Sequence, residues 1–202
     1  MFSLLYGFWQ YLSRKVEYNV LVLGVDSAGK TTFVEKVKEQ FSGARAPPPE
    51  KILPTVGLNI GRVETQKCKM VFWDLGGQKG LRSIWDKYFE EAHSVVYVVD
   101  SSDPSRLEEN RSALRGIIGS KDLEAAPVLV VANKQDRPDA LEPEAVLGAL
   151  DLGGRPRLEH KVQPMSALRG EGVTAGVSWL MEAMKKGGRM AVGNPGQAAS
   201  SW

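Results

Sequence analysis

The chain has 202 residues, with 26 Lys plus Arg against 24 Asp plus Glu and a formal charge of +2; this suits one compact domain with a tail at either end and argues against nucleic-acid binding by bulk electrostatics. Hydrophobic residues at 43% and charged residues at 25% support a real core and exclude disorder over most of the chain. The lone cysteine, Cys68, excludes an internal disulfide or a cysteine zinc site; with no signal-peptide pattern and no run of about 18 apolar residues, a cytosolic chain without a membrane span is expected.

Met1–Lys15 opens the chain with Phe2, Leu5, Phe8, Trp9 and Leu12 at helical spacing, ends on Arg14-Lys15 and holds no acidic residue. It reads as an amphipathic helix covering 1–16, either packed on the domain or offered to a membrane or receptor. The run Val20–Leu23 is β-branched and apolar, as are Val95–Val99 and Val128–Ala132, and all three read as buried parallel strands. Helical spacing follows the first (Phe33, Val37, Phe41) and the second (Leu107, Leu114, Ile117, Ile118), so strands and helices alternate in an α/β fold.

The first strand runs into Gly24-Val25-Asp26-Ser27-Ala28-Gly29-Lys30-Thr31, a GxxxxGK[ST] loop followed by a helical pattern beginning near Thr32. Its glycines let the backbone wrap a phosphate, and the helix N-terminus favours the anion. Lys30 is expected on the β and γ phosphates, and the Thr31 hydroxyl on a Mg²⁺ that bridges them. Ser42–Leu53, with Gly43 and Pro47-Pro48-Pro49, reads as a surface loop with a stiff polyproline stretch.

Leu58–Thr65 and Cys68–Trp73 read as two strands of a hairpin, followed by Trp73-Asp74-Leu75-Gly76-Gly77-Gln78. Asp74 at a strand end can hold a Mg²⁺-bound water, Gly77 can donate its N–H to a γ-phosphate oxygen, and Gln78 can orient an attacking water. Asp103 before Pro104 is expected to cap the helix that contains Leu107. After the third strand, Asn133-Lys134-Gln135-Asp136 and then Ser166-Ala167-Leu168 fall on the carboxyl edge of the sheet. There Asp136 can accept from N1–H and the amine of guanine, while adenine would leave it unpaired. The Lys134 stem can cover the base and the Ala167 N–H can meet its carbonyl. Gly187–Trp202, rich in Gly, Ala and Ser, reads as a disordered tail.

Four motifs in this order resemble the small GTPases of the Ras superfamily over about Tyr18 to Lys186, and within it the Arf and Arf-like family, through Asp26, Pro54-Thr55-Val56-Gly57, Trp73–Gln78 and Asn133–Asp136. The resemblance implies a six-stranded, mostly parallel sheet with one antiparallel hairpin and helices on both faces, over a GTP-binding domain of 17–186. GTP or GDP with Mg²⁺ would be held by Gly24, Asp26, Ser27, Ala28, Gly29, Lys30, Thr31, Thr32, Thr55, Gly77, Asn133, Lys134, Asp136, Ser166, Ala167 and Leu168. Thr31 and Thr55 would serve the metal, and Gln78 and Lys30 the hydrolysis. An exchange factor, a GTPase-activating protein and effectors reading Leu58, Trp73 and Tyr88 are implied, with Leu58 standing where Phe is more usual. The chain begins Met1-Phe2, without the Gly that Arf proteins carry for myristoylation, and its loop before Thr55 is long. Both features look like the Arf-related subfamily of the trans-Golgi. That resemblance implies a cytoplasmic monomer, peripheral on Golgi membranes when GTP-bound, with an acetylated N-terminus read by a Golgi membrane protein.

His93 and His160 lack metal-ligand spacing and read as structural, and Cys68 as a core residue. Trp85, Tyr88 and Phe89 recur at helical spacing and suit either core or effector contact. The readings set beside the switch are an Arf-like GTPase at another membrane, a GTP-binding scaffold with negligible hydrolysis, and a nucleoside kinase, for which the chain shows no Arg-rich lid.

Overall fold

The structure, a computed structural model, describes residues 15–152 and 158–187. The expected helix over Met1–Lys15 and the expected tail Gly187–Trp202 lie outside these residues, apart from Lys15 and Gly187. Six strands form one sheet in the order β2-β3-β1-β4-β5-β6. They are β1 (Glu17–Leu23), β2 (Leu58–Glu64), β3 (Lys69–Leu75), β4 (Ser94–Asp100), β5 (Val128–Asn133) and β6 (His160–Pro164). Among these six strands β2 and β3 pair antiparallel and the other neighbours pair parallel. Their turn is closed by Thr65, whose N–H donates to Cys68 O at 2.9 Å and whose hydroxyl donates to the same oxygen at 3.0 Å.

The strand period of two divides the core. Val20 and Val22 of β1, Val96 and Val98 of β4, and Leu129 and Val131 of β5 face α1 (Lys30–Ser42) and α4 (Val173–Lys186). Leu21 and Leu23, Tyr97 and Val99, and Val128 and Val130 face the other way, toward α2 (Leu107–Ile118) and α3 (Pro143–Leu150). Strands buried on both faces therefore read as continuous apolar runs rather than as alternation. Gly61 lets β2 pass close to α1, because a Cβ there would meet Val34 Cγ1 at 2.5 Å.

Several expected boundaries shift for physical reasons. α1 begins at Lys30, inside the phosphate loop rather than near Thr32. Asp103 and Pro104 do open the helical stretch, but its first turn, Pro104–Arg106, is 3₁₀ with α2 following at Leu107, and the Asp103 carboxylate accepts from the Ser105 hydroxyl at 2.5 Å instead of capping the backbone. Pro49–Lys51 is another 3₁₀ turn, so the polyproline stretch ends at Pro48, whose φ −57° and ψ 141° are those of that helix. Lys79–Tyr88 is 3₁₀ rather than α. Trp85 and Phe89 are buried in the core, whereas Tyr88 stays half-buried with its ring 5.6 Å from that of Trp73. His93 is buried, and its Nδ1 accepts the Asn19 N–H at 2.9 Å. His160 Nδ1 lies 2.8 Å from Leu158 O, and Cys68 is buried immediately before β3.

Candidate nucleotide site

The chain leaves β1 at the point where neighbouring connections diverge, to β3 on one side and β4 on the other. In open α/β sheets the crevice at such a point, beyond the carboxyl ends of the strands, receives ligands. Gly24–Thr31 fills that position. Its glycines are required by geometry: Gly24 has φ +139° and a Cβ there would stand 2.2 Å from Val98 O, while a Cβ on Gly29 (φ +94°) would stand 2.4 Å from Asn133 Nδ2. Ser27 takes φ 62°, which turns the loop back on itself. The resulting cleft of about 270 Å³ is lined by Asp26, Lys30, Thr31, Thr55, Gly77 and Gln78, among others.

Lys30 is buried, and its Nζ donates to Val25 O at 3.0 Å. Burial pushes its ammonium down to about 8 against the pull of Asp74 and Asp26. A cation held so dry at the mouth of a backbone cradle is a ready partner for a phosphate oxygen.

Three oxygens converge beside it from three separate elements. Thr31 Oγ1 on α1 donates to Asp74 Oδ2 on β3 at 2.6 Å, Thr55 Oγ1 donates to the same oxygen at 3.1 Å, and the two hydroxyls lie 2.8 Å apart. Asp74 is fully buried, its Oδ1 has no hydrogen-bond partner, and burial raises its carboxyl above the ordinary range. Neighbouring ligands of an octahedral Mg²⁺ with bonds of about 2.1 Å stand about 3 Å apart, so this hard-oxygen set fits that ion. Two hydroxyls backed by the Asp74 carboxylate do not complete a Mg²⁺ shell; the remaining positions suit waters and substrate phosphates. Among the described residues no group of three or more His, Cys, Asp or Glu is placed to hold a metal.

Gly77 is pressed against the phosphate loop, since a Cβ on it would meet Gly24 O and Lys30 Nζ at 2.4 Å and Asp26 N at 2.6 Å. Gln78 follows in extended backbone (φ −60°, ψ 140°), exposed at the start of the 3₁₀ segment. The fourth motif sits on β5's carboxyl end. Asn133 is buried and joins two loops: its Nδ2 donates to Ala28 O at 2.8 Å and its Oδ1 accepts the Ala167 N–H at 2.9 Å. The Ala167 amide, expected on a base carbonyl, is thus engaged by Asn133. Ser166 donates its hydroxyl to Asp136 Oδ1 and so fixes that carboxylate. Lys134 takes φ 65°, and its ammonium is held by Asp100 at the end of β4. Thr32 is half-buried and Leu168 is 50% exposed; both line a neighbouring cleft with Pro47, Pro48 and Pro49.

Sequence reasoning missed Arg82, Arg106 and Glu109. Arg106 donates to Asp26 O at 2.9 Å and Asp26 Oδ1 at 2.7 Å, and through Nε to Glu109 Oε2 at 2.9 Å. Arg82 donates to Glu109 Oε1 and to Gly77 O, the latter at 2.7 Å. The Arg106 guanidinium holds the Asp26 carboxyl below its usual range. The only local signal was the i,i+3 spacing of Arg106, at the end of the 3₁₀ turn, and Glu109, in the first turn of α2.

The ADP-ribosylation factor family pattern matches residues 5–184. ADP-ribosylation factor-related protein 1 of Bos taurus is 44% identical over 185 residues, covering 90% of this chain and 92% of that protein. ADP-ribosylation factor-like protein 3 of Saccharomyces cerevisiae is 37% identical over 192 residues, covering 92% and 95%. Among solved structures, the Arl6 BBS3 small GTPase of Trypanosoma brucei with bound nucleotide analogue GppNp superposes with a TM-score of 0.74 at 30% identity, over 84% of this chain and 98% of that one. With the sheet order, the phosphate loop and the paired Thr hydroxyls already in place, these likenesses decide the matter. The chain belongs to the ADP-ribosylation factor family of small GTPases, GTP-binding switches that bind GTP and GDP with Mg²⁺ and hydrolyse GTP.

Proposed function

We propose that this GTPase switches membrane trafficking at the Golgi, with the residues above in the following roles. The Gly24–Thr31 backbone and Lys30 hold the phosphates, with Thr32 at the first turn of α1. Thr31 and Thr55 hold Mg²⁺ beside Asp74, and the ion, when bound, neutralises charge on the phosphate oxygens. Gly77 offers its N–H to the γ-phosphate and Gln78 orients water. Asp136 selects guanine, with Ser166 fixing it, Asn133 tying the base loops to the phosphate loop, and Lys134, Ala167 and Leu168 framing the base. The observation that carries this reading is the meeting of Thr31, Thr55 and Asp74 within 3.1 Å, because it joins the phosphate loop to the Thr55 loop and to the end of β3 that leads into Gly77 and Gln78.

Leu58, Trp73 and Tyr88 are proposed as the surface that effectors read. Trp73 and Tyr88 touch edge to face and are half-buried, as is Leu58. The Golgi assignment follows the resemblance to the Arf-related subfamily and is supported by 44% identity to ADP-ribosylation factor-related protein 1. The segment Met1–Lys15 is proposed as the output, released when the β2–β3 hairpin slides by two residues on exchange. A two-residue slip keeps every side chain on its own face, whereas one residue would turn the core outward. β2 is an edge strand, so only the β1–β3 ladder must re-pair. Aromatic burial with two basic residues gives reversible attachment, so a membrane protein must add a second determinant.

Flotation with liposomes and with Golgi membranes, for the full chain and a chain starting at Val16, tests this. Golgi binding of the GTP form alone, lost with the truncation, is expected. Equal flotation in both nucleotide states, or binding that survives truncation, contradicts it.

A further inference from the structure

Asp26 puts a carboxylate into the loop that must hold a triphosphate, where like charge works against the ligand. It is the only acidic residue of Gly24–Thr31, and it lines the same cleft as Lys30 and Gly77. The structure supplies the counterweight. Arg106 grips Asp26 at both its backbone and its carboxylate oxygen, and shares Glu109 with Arg82. Two carboxylates and two guanidiniums thus close into a neutral quartet, with Arg82 also 3.9 Å from Asp26 Oδ1 and 5.9 Å from the centre of the Trp85 ring. The fourth corner reaches Gly77 through Arg82 Nε on its carbonyl.

We propose that Arg106 is a positioning residue that sets the preference between guanosine tri- and diphosphate, by neutralising Asp26 and, through Glu109 and Arg82, tying the phosphate loop to the Gly77 turn. The proposal rests on the phosphate seat assigned above. Removing Arg106 leaves the quartet one negative charge in excess. The nearest added charge in GTP is the γ-phosphate, so the triphosphate is weakened more than the diphosphate. A bidentate guanidinium also holds Asp26 in one orientation, which a single ammonium does only in part.

The test is competition binding of GDP and a non-hydrolysable GTP analogue, with Mg²⁺, to the full chain carrying Arg106→Gln, Arg106→Lys, Asp26→Ala or Asp26→Ala with Arg106→Gln. For Arg106→Gln the ratio of triphosphate to diphosphate affinity should fall about tenfold, and less at high salt. Arg106→Lys should restore most of it. Asp26→Ala alone should raise the ratio, and adding Arg106→Gln to it should bring the ratio back to within about twofold of the wild type, because the remaining pair of Arg82 and Glu109 is neutral. Equal losses for both nucleotides, or a double variant whose ratio stays as low as that of Arg106→Gln alone, would overturn the proposal, since a purely structural arginine behaves that way. Should Arg106→Gln not fold, Asp26→Ala still decides the sign: an unchanged or lowered ratio contradicts the proposal. Failure of the underlying seat would show separately, as Lys30→Ala leaving both affinities untouched.

Discussion

Asp136→Asn should cost this protein its guanine preference, lowering GTP and GDP affinity by roughly 10³ to 10⁴ while xanthosine nucleotides gain. On the proposed reading the carboxylate accepts from two guanine donors, and charge-assisted bonds of this type contribute about 1.5 to 3 kcal/mol each. The amide presents one donor and one acceptor, which mismatches the guanine amine and matches the xanthine carbonyl. Ser166 keeps its place in either case, because its hydroxyl can donate to the amide oxygen as it does to Asp136 Oδ1. Stability should therefore change little. Competition of guanosine and xanthosine triphosphates against a fluorescent nucleotide measures the exchange of preference; unchanged GTP affinity would move the base pocket elsewhere.

Gln78→Leu should leave nucleotide affinity within about twofold and abolish turnover stimulated by an activating protein, a loss of about 10³-fold or more. Gln78 is exposed on extended backbone beside Gly77, so an apolar side chain of similar size is accommodated without disturbing the phosphate loop. What Leu cannot do is accept from and donate to water. Neither nearby guanidinium substitutes for it. Arg82 is engaged by Glu109 and Gly77 O, and Arg106 by Asp26 and Glu109. On the proposed reading a cation for the transition state arrives with the activator, and basal hydrolysis should be slow. Single-turnover phosphate release with and without a cell extract measures both rates; full stimulation of the variant would assign water positioning to another group.

Much of this site was legible because its chemistry is local in sequence. Gly24–Thr31 needs glycines at fixed offsets after a strand, and the all-apolar runs Val95–Val99 and Val128–Ala132 announce strands covered on both faces. The hairpin was legible for the same reason, two strand-like runs around a turn with no room for a helix. The segment Lys79–Tyr88 was not, because apolar spacing does not separate a 3₁₀ from an α path over three turns. Asp103 stands at the helical start as its sequence position suggests but makes no side-chain cap, because the Ser105 hydroxyl two residues on takes its carboxylate. Arg106 was beyond reach altogether: its partner Asp26 is 80 residues away, and nothing local to either residue announces the other. The same holds for Ala167, whose amide is engaged by Asn133 from a different strand end.

The meeting of Thr31, Thr55 and Asp74 ties nucleotide chemistry to the position of the Thr55 loop, and hydrolysis by the wild-type chain tests that link most directly. Preloaded with GTP labelled at the γ-phosphate, the full chain should release phosphate slowly in Mg²⁺, faster with an activating extract, and not at all once the ion is chelated. Release that ignores chelation, or the absence of any release with Mg²⁺ and extract present, would contradict a Mg²⁺-dependent GTP switch built on this edge of the sheet.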